Sequence, residues 1–504
     1  MTQILAIDQG TTNSKAVLVD DAGDVRAVGS APVAVSHPRP GWVEQDPEQL
    51  WASVLTAIDR CLTLVDPGTV DLGGIALSTQ RESVVAWDRR SGQPMGPVIG
   101  WQDVRTAAWC REHTSAADDD WVRSRTGLRI DAMFSAPKIG WLLRELGRGR
   151  MADVCVGTVD SWLIWRLTGG ERHVCEAGNA SRTLLYDVVD LVWSAALLEI
   201  FDIPAAVLPQ VQHSDGDFGR CHSVAGVPDG TPVVAVLADS HAALFGQGCT
   251  TVGSAKATYG TGTSVMTPTA EFVPGFSPVP STLAWLTDTP LYAREGNILA
   301  SGATVAWAAR LLGTDVSTLL SLADSAPDAG DVTLVPAFTG LGAPHWDREV
   351  RGVITGLDSD TDPARLARAA VEAVAHQVCD VVEVIDADSA LPLEMLRADG
   401  GLTASPLIMQ IQADLLGRPV EVADLPEVSA LGAADLARRR LGGAAAARSV
   451  GRTFLPSVAA DERSARRGHW RAQLSWLRSR PNGDGSGAAS RTRGHRRWLP
   501  SPPA

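Results

Sequence analysis

Lysine is nearly missing from this chain: Lys15, Lys138 and Lys256 are the only three in 504 residues, and arginine supplies the rest of the positive charge. Basic excess is missing as well, since a formal net charge of -14 and a pI near 5.2 argue against a nucleic-acid surface. No apolar run reaches the roughly 18–20 residues of a membrane span, so no membrane partner is expected. The seven cysteines (Cys61, Cys110, Cys155, Cys175, Cys221, Cys249 and Cys379) contain no C-x-x-C pair, which excludes an ordinary disulfide frame or zinc site and predicts reduced, buried thiols. A strand pattern begins almost at the first residue, leaving no stretch that reads as a signal peptide. A cytoplasmic location is therefore the expectation. What remains, 45% hydrophobic residues at a mean hydropathy of +0.03, describes a globular protein too long for one ordinary core, so two or more domains are predicted.

The most informative stretch is Ala6-Ile7-Asp8-Gln9-Gly10-Thr11-Thr12-Asn13-Ser14-Lys15-Ala16. Apolar residues run into Asp8, a Gly-Thr-Thr turn follows and a second strand leaves, which is a hairpin with a polar tip. Backbone N–H groups beside two hydroxyls would make a donor-lined hollow suited to phosphate oxygens, and Asp8 could hold a divalent metal through water. The device returns at 254–266, where strand, Tyr259-Gly260-Thr261-Gly262 turn and strand follow each other again. Two such turns facing each other could clamp the β- and γ-phosphates of a nucleotide.

Other segments point to the carboxyl ends of strands, where open α/β sheets collect their ligands. A buried strand at 73–78 delivers Gln80-Arg81-Glu82, a pair able to donate to and accept from hydroxyls. Another at 232–237 delivers Asp239 and Ser240, so Asp8 and Asp239 are matching carboxylates, one suited to a metal and one to proton abstraction. His241, which enters a helix over 242–245, reads as structural. Helices are predicted at 46–64 with Asp46 as N-cap, from Ser135, from Gly157 through Trp165, at 362–384, and at 407–416 behind Ser405-Pro406. Trp101 could belong to the core or to a pocket wall. The region 214–230 is the best candidate linker, Gly400-Gly401 is a glycine-rich strand exit, and the tail 481–504 is predicted to be disordered.

Taken together, these segments resemble the FGGY family of carbohydrate kinases, and within it the glycerol kinase branch. The resemblance runs from Leu5 to about Trp476. It rests on Asp8-Gln9-Gly10-Thr11-Thr12, Gly41-Trp42-Val43-Glu44-Gln45-Asp46-Pro47, Gln80-Arg81-Glu82, 133–145, Gly157-Thr158-Val159-Asp160, Ala242-Ala243-Leu244-Phe245-Gly246-Gln247, Tyr259-Gly260-Thr261-Gly262, Phe338-Thr339-Gly340-Leu341-Gly342-Ala343-Pro344 and Asp399-Gly400-Gly401. It implies an α/β fold of two ribonuclease-H-like domains of the actin and hexokinase superfamily with the active site in the cleft between them. The expected division is 1–246 for acceptor, phosphate and catalytic base, and 247–480 for the nucleotide. The implied reaction is transfer of the ATP γ-phosphoryl group to a hydroxyl of a small polyol or sugar, with Mg²⁺. By the same resemblance Asp239 is the general base, Asp8 and Asp239 lie near the metal, and Arg81, Glu82 and Trp101 hold the acceptor. Thr11, Thr12, Asn13, Lys15, Gly260, Thr261 and Gly262 would hold phosphates, with Lys15 standing where the family has arginine. Gly302, Gly401 and Ser405 would face the nucleoside, and a homo-oligomer, as a dimer, is the expected assembly.

The departures from the glycerol kinase pattern gather at the acceptor. Met133 replaces a tyrosine, Ser240 a glutamine and Ser264 a phenylalanine. Two aromatics and an amide are lost, which predicts an acceptor longer or bulkier than glycerol, such as a four- or five-carbon polyol or ketose. Glycerol itself stays as the alternative. An actin- or heat-shock-type ATPase and a non-catalytic sugar-binding regulator are the rival classes, both disfavoured by the acceptor set and the retained aspartates.

Overall fold

The structure, a computed structural model, describes residues 2–274, 277–389, 391–424, 427–444 and 450–480. The expected disorder of 481–504 lies outside the described residues. Strands β1 (Gln3–Gln9), β2 (Asn13–Val19) and β3 (Val25–Pro32) form an antiparallel meander. Helix α1 (Pro47–Leu62) follows, its first N–H groups at Glu48 and Gln49 capped by the Asp46 carboxylate. β4 (Leu72–Thr79) and β5 (Val233–Ala238) then add in parallel, giving the order β5-β4-β1-β2-β3. Every residue of β5 and Ile4 through Ile7 of β1 are buried, because both faces of this sheet are covered. Trp51, Val54 and Ile58 of α1 cover one face. Helix α2 (Asp239–Gly246), which starts directly at the end of β5, covers the other.

A smaller layer, built mostly by the chain between β4 and β5, surrounds a four-stranded sheet of Glu44–Gln45, which comes before α1, with Val98–Ile99, Val84–Asp88 and Val154–Thr158. The helix predicted from Gly157 starts later, at Val159, because the apolar run Val154-Cys155-Val156, with its two valines, continues through Thr158 as a strand paired with Val84–Asp88. The predicted linker at 214–230 is not one. Phe218, Cys221, Val224 and Val227 are buried in the first core, and Ser214 is tied by hydrogen bonds to Glu176 and Leu286. Its many Gly and Asp residues make turns, while its apolar residues point inward.

The second sheet comprises β6 (Ser254–Tyr259), β7 (Thr263–Thr269), β8 (Ser281–Leu286), β9 (Pro290–Ile298), β10 (Met395–Asp399), β11 (Val420–Ala423) and β12 (Val450–Phe454). Their order is β8-β9-β7-β6-β10-β11-β12. Its inner five, β9-β7-β6-β10-β11, repeat the order and directions of β3-β2-β1-β4-β5: two antiparallel pairings, then two parallel ones. The repeated Gly-Thr turn is thus the trace of a repeated topology. In this register Thr258 occupies the place of Asp8, and Asp399 that of Ser78. Helices α3 (Gly302–Leu311), α4 (Pro363–Asp388), α5 (Pro406–Leu416) and α7 (Ala460–Ser479) pack with this sheet.

One late helix, α6 (Val428–Arg440), returns to the first sheet, where Ala430, Ala433 and Ala437 pack with Ile4, Ala6 and Leu244. Its backbone nearly touches α2: a Cβ on Gly432 would sit 1.9 Å from the Ala242 carbonyl oxygen, and one on Gly246 2.4 Å from that of Val428. Only glycine permits that approach. Gly432→Ala is expected to cost about 1–3 kcal/mol in chemical denaturation through overpacking. Gly468→Ala in α7, where nothing lies within 4 Å, is expected to be neutral or slightly stabilising and serves as the control.

Candidate active site

Asp8 stands at the carboxyl end of β1 opposite Ser78 of β4, and Ser78 stands opposite Leu237 of β5. Asp239 follows two residues later, so the carboxylates emerge from strands separated by one neighbour, on the order of 10 Å apart in the sheet. Both are half-buried. Burial lifts the Asp8 carboxyl to about 6, opposed by a 2.7 Å hydrogen bond from Ser78 Oγ and reinforced by the charge of Asp239. Asp239 is raised by burial too, with Arg81 opposing and Glu82 adding. Two desolvated carboxylates that push on each other form a donor set that a divalent cation would relieve.

Arg81 and Glu82 are buried, and each takes its partner from elsewhere in the chain. The Arg81 guanidinium donates through Nη1 and Nη2 to the two oxygens of Glu295 at 2.7 and 2.6 Å, while its Nε lies 3.3 Å from Asp239 Oδ1. Glu82, held at a φ of 59°, accepts from Arg182 Nε at 2.7 Å, and Arg182 Nη1 reaches Glu295 at 3.2 Å. Arg81 stays charged: burial works against the charge, and Glu295 and Glu82 outweigh it. The backbone N–H of Ser240 donates to Asp239 Oδ1 at 2.6 Å. Ser264 Oγ donates to Glu295 Oε1 at 3.1 Å. Met133 is half-buried near Lys138, whose ammonium donates to the carbonyls of Met133 and Glu82 and is brought down to about 7 by burial.

The β1–β2 tip closes with Gly10 N–H on Asn13 O at 3.0 Å, leaving Thr12 and Asn13 exposed. Thr11 is fixed from two sides: its hydroxyl accepts from the Trp101 indole at 3.0 Å, and its carbonyl from Gln45 Nε2 at 2.8 Å. Trp101 is therefore half-buried and tied to the β1–β2 tip rather than filling the core. Lys15 is not a free point charge, since its Nζ lies 2.6 Å from Glu427 Oε2. In the second lobe Gly260 and Thr261 are exposed at the β6–β7 tip, and the N–H groups of Ser301, Gly302 and Ala303 donate to Thr261 and Gly260 carbonyls at 2.9–3.1 Å. The start of α3 thus braces the second turn, with its Gly302 N–H already engaged. Gly401 has open space where a side chain would be, and Ser405 caps α5 by accepting from Ile408 N–H at 3.4 Å.

Several residues of this site were missed in the sequence. Gln9, Gln45 and Gln80 form a buried amide chain, with Gln80 Nε2 donating to both Gln9 and Gln45 at 3.0 Å, and Ser83 joins it to the Trp101 backbone. Arg182 and Glu295 were missed as well; the available signal was a charged residue within an otherwise apolar strand or turn, Tyr292-Ala293-Arg294-Glu295 and Ala180-Ser181-Arg182. His241 is buried, both its ring nitrogens lack a hydrogen-bond partner among the described residues, and burial drives it well below the usual range, so it is neutral.

The raised Asp8 carboxyl has a cost for folding. Above about pH 6 the folded state carries a charge that the unfolded chain solvates better; below 3.8, the ordinary value, both states are protonated and the penalty vanishes. In metal-free buffer Asp8→Asn is therefore expected to raise the melting temperature at pH 8, with the gain shrinking from pH 6 to pH 4. An unchanged melting temperature at pH 8 would contradict the desolvation of Asp8.

Comparison with known proteins agrees with this architecture. The FGGY family of carbohydrate kinases matches over residues 3–246 with its N-terminal domain and over 255–440 with its C-terminal domain. A glycerol kinase of Aromatoleum aromaticum is 42% identical over 498 residues, covering 95% of this chain and 99% of its own. An apulose kinase of Pectobacterium atrosepticum is 43% identical over 446 residues, covering 87% and 90%. Among solved structures, Plasmodium falciparum glycerol kinase with ADP superposes with a TM-score of 0.89 at 28% identity, covering 95% of this chain and 98% of that one. The chain belongs to the FGGY family of carbohydrate kinases and is an ATP-dependent enzyme that phosphorylates an alcohol group of a small polyol or sugar.

Proposed function

We propose that this kinase works with Asp239 as general base and takes an acceptor larger than glycerol. The observation that carries the mechanism is the pinning of one carboxylate oxygen. Both Arg81 Nε and the Ser240 N–H sit on Asp239 Oδ1, so Oδ2 is the oxygen offered to the acceptor hydroxyl. Burial raises this carboxyl above its ordinary value, which makes it a stronger proton acceptor than an exposed aspartate. The acceptor lies against Arg81, Glu82, Trp101, Met133, Ser240 and Ser264. Thr11, Thr12, Asn13, Gly260, Thr261 and Gly262 cradle the triphosphate, and Gly302, Gly401 and Ser405 line the nucleoside side.

Asp8 and Asp239 would hold Mg²⁺ through water, which fits their mutual repulsion; the ion would supply charge neutralisation for the phosphates. Lys15, paired with Glu427, joins the phosphate site only if ATP draws it away. The functional division is 1–246 and 247–480, with α6 contributed by the second part to the first. The seven cysteines are buried, which suits a cytoplasmic enzyme.

The larger acceptor rests on Ser264. Where the glycerol kinase branch places a phenylalanine, this side chain is small, half-buried and turned onto Glu295. The kinship with an apulose kinase as well as with glycerol kinases favours a branched or longer ketose alongside glycerol.

Asp239→Asn is expected to lower kcat by ~10² to 10⁴ in an ADP-release assay, with the acceptor KM within a few-fold of wild type. Wild-type turnover in this variant would exclude the assigned base. Across glycerol, erythritol, threitol, ribulose, xylulose and apulose, the highest kcat/KM is expected on a four- or five-carbon acceptor, with the phosphorylated product seen by mass. A clear preference for glycerol would refute the enlarged site and establish the alternative.

A further inference from the structure

The acceptor grip of the first lobe depends on a residue that comes from the second. Glu295 lies on β9 and is fully buried, and it receives Arg81 end-on, one guanidinium nitrogen to each oxygen. The same carboxylate receives Arg182 Nη1, and Arg182 holds Glu82 through Nε. One acidic side chain thus orients both members of the Arg81-Glu82 pair. Its own backbone is fixed: the next residue, Gly296, lies so close to α4 that a Cβ there would meet Val381 at 2.4 Å. Lys256, Met266 and Glu295 stand side by side across β6, β7 and β9, and Ser264, one pleat along, adds its hydroxyl to Glu295.

We propose that Glu295 is a positioning residue of the acceptor site: supplied by the second lobe, it sets the guanidinium of Arg81 for the acceptor, so that the site is complete only while the two lobes are together. A buried ion pair built for stability alone gains little over a well-packed apolar pair. Here the end-on grip leaves the Nε edge of Arg81 on Asp239, and each Nη keeps a second N–H for a hydroxyl. That arrangement orients a donor as well as joining two lobes. Loss of the Glu295 charge frees Arg81 to swing onto Asp239 and frees Arg182 from one of its two carboxylates.

The inference rests on the assignment of Arg81, Glu82 and Asp239 to the acceptor, and the test separates the two. Full-length wild type, Arg81→Gln, Glu295→Gln, Glu295→Asp and the Arg81→Gln/Glu295→Gln double variant are compared in steady-state kinetics with ATP, using glycerol and ribulose as acceptors, alongside melting temperatures. Glu295→Gln is expected to raise the acceptor KM at least tenfold with the ATP KM within twofold. Glu295→Asp, which keeps the charge the buried arginines need, is expected to fall between wild type and Glu295→Gln, and it decides the matter should Glu295→Gln fail to fold. On the Arg81→Gln background, Glu295→Gln is expected to add less than twofold. The proposal is overturned if Glu295→Gln and Glu295→Asp leave the acceptor KM unchanged, if acceptor and ATP KM rise together, or if the two substitutions multiply. An unchanged acceptor KM in Arg81→Gln would instead remove the acceptor assignment itself, and this inference with it.

Discussion

Arg81 is the hinge of the arrangement: one buried guanidinium touches the proposed base through Nε and a carboxylate of the opposite lobe through both Nη atoms. A buried cation must be paired, and its pairing dictates where its neighbours stand. Glu295 has to be buried at the same depth, Arg182 has to neutralise the remaining acid, and Glu82 has to lie within reach of Arg182. The strained φ of 59° at Glu82 is consistent with that demand, because a non-glycine residue holds such a conformation only when its surroundings over-determine it.

Around this core the two lobes perform one operation twice. Each sheet carries a β1–β2-type hairpin, and each tip is braced by groups outside it: the glutamine chain and Trp101 in one, the start of α3 in the other. Pre-organised donors cost nothing to arrange at the moment of reaction, which is the main demand of phosphoryl transfer. The carboxyls of Asp8 and Asp239 are both raised by burial, which is the cost of holding two acids at these strand ends. Helix α6 ties the end of the second lobe to the first sheet through glycine contacts with α2, the helix that begins at Asp239. Asp239, the proposed base, therefore begins a helix that the end of the second lobe packs against.

The hairpin at Asp8, the strand end at Asp239 and the echo at Gly260 were legible because local chemistry announces them: an apolar run, a glycine, then hydroxyls. The caps at Asp46 and Ser405 were legible for the same reason. The linker reading of 214–230 failed because turn residues dominate the composition, while Phe218, Cys221, Val224 and Val227, recurring at every third position among them, reach the core. The helix from Gly157 was extended too far back because a short apolar run reads alike as strand or helix until a partner strand, here Val84–Asp88, is found.

By itself the sequence determined the kind of molecule and the ends of strands that carry its chemistry, since periodicity, caps and turn residues act over a few positions along the chain. Only the tertiary structure decided what those groups touch. Lys15 pairs with Glu427, Arg81 with Glu295 and Glu82 with Arg182, and the separations of 412, 214 and 100 residues lie far beyond any local pattern. The physical reason is burial: the partner of a desolvated charge is chosen by which segments pack against it, and that choice is made in space rather than along the chain.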